Sequence, residues 1–310
     1  MSLPAYTGLL GRVWHYTFYV ICAVVFFFLM APIMVIIPLS FNIEPYFTFS
    51  EGMLRLDPDA FSLRWYKDVL GLCNEPTQAA DAFVTSTKVQ ECGIGSNRGY
   101  EWAYAARNSI FIAVFATLIA TTLGTLAAVG LSRPHMPYRK PIMALLISPL
   151  IVPIIIIAAG MFFFYSHIGL AYTHLGVILA HAVMGTPYVV ITVTATLIGF
   201  DETLIRASGS LGAKPLRTFF RVIMPLITPG VISGALFAFI TSFDEVVLIY
   251  FLADAEQKTI PIQMWSGLRQ QISPSILAVA TMLVTFSVIL LIAVELLRRR
   301  SERLRTQVIS

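Results

Sequence analysis

The chain has 310 residues, of which 57% are hydrophobic and 12% charged, with a formal net charge of +4 and a mean hydropathy of +0.79. A soluble domain of this length needs far more polar surface, so the composition excludes one and makes lipid the solvent for most of the chain. The basic residues stand at the ends of apolar blocks rather than in a stripe beside aromatics, which excludes a nucleic-acid-binding face.

Segment 1–41 carries the first apolar block, 17–41, which is too long for the core of a cleavable signal and lacks a small-residue cleavage site. Further blocks follow at 108–131, 142–165, 174–198, 226–250 and 276–297, each close to the ~20 residues that cross hydrocarbon. Backbone amides in lipid have only their own segment to bond with, so six transmembrane helices are expected, an all-α polytopic membrane protein. Thirteen of the twenty-one Lys and Arg residues fall on one side if both termini are cytoplasmic, among them Arg12, Arg139, Arg221 and the run Arg298, Arg299 and Arg300. The positive-inside rule then sets that orientation.

These blocks divide the chain into a first helix with its N-terminus (1–41), an outer loop (42–107), a five-helix core (108–298) and a basic cytoplasmic tail (299–310). The loop is polar and nearly helix-free by pattern. It carries Cys73 and Cys92, which on an oxidising face close a disulfide or remain two unpaired thiols.

Several spans carry packing signals. Ala116, Ala120, Gly124 and Ala128 recur every four residues and make a smooth stripe on which another helix can approach closely. Pro149 and Pro153 in the third span, and Pro187 in the fourth, each free a carbonyl and bend the helix. Asp244 and Glu245 follow Phe243 inside the fifth block; intramembrane carboxylates mark a water-filled route, unless these lie at the solvated outer end of the helix. His167, His174 and His181 recur by sevens but straddle a turn and bring no cysteine or carboxylate cluster, so they read as interfacial or core histidines and no metal site is expected.

The stretch 200–230 is a helix–glycine–helix elbow on the cytoplasmic face. Asp201 suits an N-cap and Glu202 the first turn, where it also stands four residues before Arg206 in the order that favours an ion pair. Gly212 suits a left-handed C-terminal cap, and Pro215 the first position of a second short helix that runs to Met224, before Pro225 opens the fifth span. The small residues Ala207, Ser208, Gly209 and Ser210 let the first helix slot into a groove.

The stretch RASGSLGAKPLRTFFRVIMPLITPGVISG resembles the EAA loop of ABC-importer permeases, matching it at Ala207, Gly212, Ala213, Phe219 and Pro225. The resemblance covers roughly 105–295 and implies a type I importer permease fold. It also implies a coupling helix, made here by Arg206, Ala207, Ser208, Gly209, Ser210, Leu211, Gly212, Ala213 and Lys214, that docks into a cleft of a cytoplasmic ATPase. Arg206 departs from the pattern, since the motif has an acidic residue there, and Ser208 departs at the third position. No Gly-Lys dipeptide exists in the chain, which excludes a GxxxxGK[ST] phosphate loop. Catalytic residues are therefore expected to be absent here, with ATP and Mg held by the partner ATPase.

Phe-Asp-Glu-Val-Val from Phe243, Pro-Ile-Gln-Met-Trp-Ser-Gly from Pro261 and Ile-Ser-Pro-Ser from Ile272 resemble permeases of spermidine/putrescine-type importers. That implies a polyamine or related cationic solute, with Phe243, Asp244 and Glu245 on its path; opines, amino acids and other small solutes are the alternative cargo. It further implies a second, different permease subunit, two ATPase subunits, a periplasmic binding protein and a bacterial inner membrane. A secondary transporter would show an internal repeat with paired broken helices, and the sequence has none.

Overall fold

The computed structural model describes residues 8–44, 47–72, 98–133, 136–198, 201, 203–270, 274–289 and 292. Cys73, Cys92, Glu202 and the basic tail 299–310 lie outside the described residues. All the long elements are helices: α1 (Leu9–Leu39), α2 (Arg98–Leu131), α3 (Arg139–Leu150), α4 (Ile154–His167), α5 (His174–Ile198), α6 (Thr203–Ser210), α7 (Pro215–Phe243), α8 (Val247–Leu252), α9 (Ile260–Gln270) and α10 (Ser275–Ile289). Contacts divide the chain into two compact units, Glu101–Ser266 and the remainder.

Four of these helices are long and apolar enough to cross a membrane alone, namely α1, α2, α5 and α7. The predicted third span is not one helix. It breaks after Leu150 and turns through 99° into α4, because neither Pro149 nor Pro153 supplies an amide to carry the ladder across. The pair counts as a fifth span if taken as one. The predicted sixth is seen only as α10, whose continuation lies outside the described residues.

Two further expectations are corrected. The segment after α1 is not helix-free: Glu51–Leu54 and Arg64–Val69 are short helices, knitted around Trp65, which is buried and donates from Nε1 to the Asn42 carbonyl at 2.7 Å. Ser40 and Tyr66 join their hydroxyls at 2.6 Å in the same knot. The last part of 42–107 is helical too, because α2 begins at Arg98, about three turns before the apolar block.

The core of the Glu101–Ser266 unit is the seam where α2, α5 and α7 meet. All four stripe residues, Ala116, Ala120, Gly124 and Ala128, are buried. A Cβ on Gly124 would stand 2.7 Å from the Val189 Cβ, and one on Gly185 would stand 3.0 Å from Ala238 and 3.3 Å from Ala120. On Gly234 it would meet the Val189 Cα at 2.8 Å. Small residues bring these backbones together because lipid supplies no hydrophobic drive between helices.

Candidate functional site

The elbow is built from α6, the turn at Gly212 and the start of α7. Asp201 accepts the Thr203 amide at 2.9 Å and so caps α6. That hydrogen bond is the main reason its carboxyl titrates below the usual range, with a lesser contribution from the Arg206 charge. At the other end Gly212 takes φ +76°. The Ala213 amide reaches back to the Ser208 carbonyl at 3.1 Å, and the Gly212 amide to the Gly209 carbonyl at 2.9 Å. This double bond pattern is the Schellman termination. It requires glycine for its backbone angle alone, since nothing lies within 4 Å of a Cβ built there.

Ser208 and Thr218 join their hydroxyls at 2.8 Å across the elbow, fixing α6 against α7. The second elbow helix is not separate from the fifth span, as the sequence suggested. The chain passes from Pro215 through a π-helical turn at Phe219–Ile223 and continues past Pro225 to Phe243. A wider turn accommodates the ring and the missing amide of Pro225 without a break.

The exposed side of the elbow carries two large apolar side chains among polar and charged ones. Leu211 is 88% exposed and Leu216 72%, while Arg206, Ala207, Gly209, Ser210 and Lys214 are also exposed. Ser208 and Ala213 are half-buried. The coupling segment read from the sequence includes Leu211 without singling it out and does not include Leu216; the exposure of both follows from where the turn points them.

The carboxylates of the fifth block sit at a helix break, not inside a helix. α7 ends at Phe243, and the Asp244 amide closes the last turn onto the Ile240 carbonyl at 3.0 Å. Glu245 Oε1 then accepts the amides of Val247 at 2.7 Å and Leu248 at 3.0 Å, so it caps α8. The predicted helix to residue 250 is therefore interrupted, because a carboxylate offered to the next turn's free amides competes with helix continuation. Asp244 is exposed, Glu245 half-buried, and the Phe243 ring stacks on Phe239 at 5.7 Å.

One turn below, Ser242 Oγ meets His181 Nδ1 at 2.8 Å, and both residues are buried between α5 and α7. His181 is thus a core histidine in a bond the sequence spacing did not suggest.

A family model for the binding-protein-dependent transport system inner membrane component matches residues 120–303. The spermidine/putrescine transport system permease protein PotC of Haemophilus influenzae is 27% identical over 278 residues, which span 90% of this chain and 95% of that protein. PotC of Escherichia coli K12 is 30% identical over 63% of this chain and 74% of its own length. The putrescine transport system permease PotI of the same organism is 28% identical over 83% and 82%. Among solved structures, a bacterial ABC transporter involved in the import of the acidic polysaccharide alginate superposes with a TM-score of 0.68 at 17% identity, covering 94% of this chain and 99% of that one. This last likeness concerns the fold.

Proposed function

This chain belongs to the family of binding-protein-dependent transport system inner membrane components, and on that premise we propose that it is the permease subunit of an ATP-driven importer for polyamines or closely related cationic solutes. The observation that carries the cargo is the similarity to a spermidine/putrescine permease over 95% of that protein's length. Bond making and breaking belong to a separate ATPase, which holds ATP and Mg.

The elbow is the coupling element. Arg206, Ala207, Ser208, Gly209, Ser210, Leu211, Gly212, Ala213 and Lys214 dock in a cleft of the ATPase, with Leu211 as the apolar anchor and the Ser208–Thr218 bond passing its motion to α7. Burying a leucine of this kind is worth roughly 1.5–3 kcal/mol. Arg206 replaces the acidic residue of the family motif and faces Asp201 in its own chain.

Both termini lie in the cytoplasm, and the 42–107 loop faces the binding protein outside. A second, different permease and two ATPase subunits complete the machine. ATP-driven closure of the ATPases draws the two elbows together and opens the path outward, and hydrolysis returns it inward. Phe243, Asp244 and Glu245 flank that path, where exposed Asp244 attracts the cation and Glu245 holds the break open. Asp244→Asn should slow a cationic solute more than a neutral one; equal slowing would give Asp244 a purely structural part.

The direct test is ATP-dependent uptake by the reconstituted complex with its binding protein, comparing labelled spermidine and putrescine with an opine and an amino acid. Saturable polyamine uptake supports the reading. Uptake of another compound alone keeps the importer and discards the polyamine.

A further inference from the structure

The break between α3 and α4 leaves polar backbone in the wrong solvent. Pro153 has no amide, and the amides of Ile151 and Val152 both turn back to the Ser148 carbonyl, at 3.0 and 3.1 Å. Among the described residues, no hydrogen bond reaches the carbonyls of Pro149, Leu150, Ile151 and Val152. The hydroxyl of Ser148 offers nothing to them, since it donates to the Leu145 carbonyl at 2.7 Å. Ile151 is 78% exposed and Val152 39%, so the described residues of the Glu101–Ser266 unit leave the segment open.

Its depth follows from the length of α4. With 14 residues, α4 runs about 21 Å at 1.5 Å per residue, against a hydrocarbon core of roughly 30 Å. With its His167 end at the outer boundary, as the proposed topology has it, α4 stops short of the cytoplasmic boundary whatever its tilt, which puts the break inside the apolar slab. Unpaired carbonyls facing lipid cost several kcal/mol each, and such backbone occurs at that depth only where it lines a water-filled cavity or is covered by protein.

The break is also unbalanced in its chemistry. Each proline contributes a carbonyl and no amide, so four free acceptors face the two amides of Ile154 and Ile155 at the start of α4. The 99° turn aims the two helix ends in different directions, and the C-terminal end of α3 carries the negative end of its dipole. Such a surface prefers a ligand rich in donors and positively charged, and it favours a wet cavity over a protein cover that would have to bring four donors of its own.

We propose that the 149–152 carbonyls line the solute path in the cytoplasmic half of the membrane and form a subsite for ammonium groups. The ammonium groups as cargo rest on the polyamine reading above; the cation-selective wet lining does not.

The experiment uses the assembled complex in nanodiscs, with Cys22, Cys73 and Cys92 replaced by serine. Ile151→Cys and Val152→Cys are exposed to water-soluble methanethiosulfonates, one bearing trimethylammonium and one sulfonate. Tyr138→Cys, 79% exposed in the loop before α3, supplies the reference ratio, and co-purification of the ATPase shows that each variant has folded. Relative to that reference, the cationic reagent should react at least about tenfold faster than the anionic one at both positions, the concentration bias a negative potential produces, and spermidine should slow it. No reaction with either reagent means that lipid or the second permease covers the break, and it overturns the proposal. Equal relative rates mean water without cation preference, and they overturn it too. Charge preference without protection by spermidine keeps the subsite and removes the polyamine reading.

Discussion

The elbow at Gly212 and the break at 150–153 are both interruptions of helix, yet each exposes what its own solvent rejects. On the cytoplasmic side the Gly212 and Ala213 amides of the turn are bonded locally to Gly209 and Ser208, and the large apolar side chains Leu211 and Leu216 stand out. Inside the span the side chains suit lipid, and what stands out is polar, four backbone carbonyls. A mismatch between surface and solvent indicates what must cover the surface: an apolar cleft for the first, water and donors for the second.

Gly212→Pro should have the largest effect. Proline cannot adopt φ +76° and removes the amide that bonds Gly209, at roughly 3 kcal/mol or more. Membrane insertion should persist while uptake falls by about two orders of magnitude and ATP hydrolysis continues. Normal uptake in that variant would detach the elbow from coupling.

Gly209→Trp comes next. Nothing lies within 4 Å of a Cβ there, so the chain alone accepts the indole, and only a partner cleft would object. Overpacking such a contact costs roughly 1–3 kcal/mol, which should appear as about tenfold weaker ATPase association in a pull-down. Unchanged association would mean that Gly209 faces solvent in the complex.

On the other side of the comparison, Pro153→Ala restores an amide four residues after Pro149 and lets one orphan carbonyl find a partner. At about 1 kcal/mol per bond the span should straighten in part, and uptake should drop about fivefold with ATPase binding unaffected. If ATPase binding weakened as well, the two interruptions would not be separate devices.

Ser208→Ala removes the bond to buried Thr218. The loss is roughly 0.5–1.5 kcal/mol, and uptake should fall about twofold at unchanged hydrolysis.

The smallest effect is acid. The folded carboxyl of Asp201 titrates below its ordinary 3.8, so its contribution is whole above the ordinary value and is lost as pH falls through the lower folded one. Exchange protection of the Thr203 amide should therefore be flat at neutral pH and decline only in strong acid. A decline near neutrality would assign the cap to another group.

The elbow was legible because its signals are local. Asp201, Gly212 and Pro215 each act through backbone angles or bonds within a few residues, and the alanine stripe on α2 needed only a period of four. The prolines announced a bend between α3 and α4, but not one of 99°, because the angle depends on which neighbours fill the gap. The carboxylates were less legible. Read along the chain, Asp244 and Glu245 were either charges inside a span or groups at its outer end; in space, Glu245 is a cap at the break between α7 and α8.

The sequence by itself determined that this is a helical membrane protein, where its apolar blocks lie, and that residues 200–230 form an ordered elbow. Each of these depends on composition, periodicity or short-range backbone preference. Only the tertiary structure decided that α2, α5 and α7 share one seam, that His181 bonds Ser242, and that 149–152 stand open, because those facts depend on residues distant in the chain meeting, or failing to meet, in space.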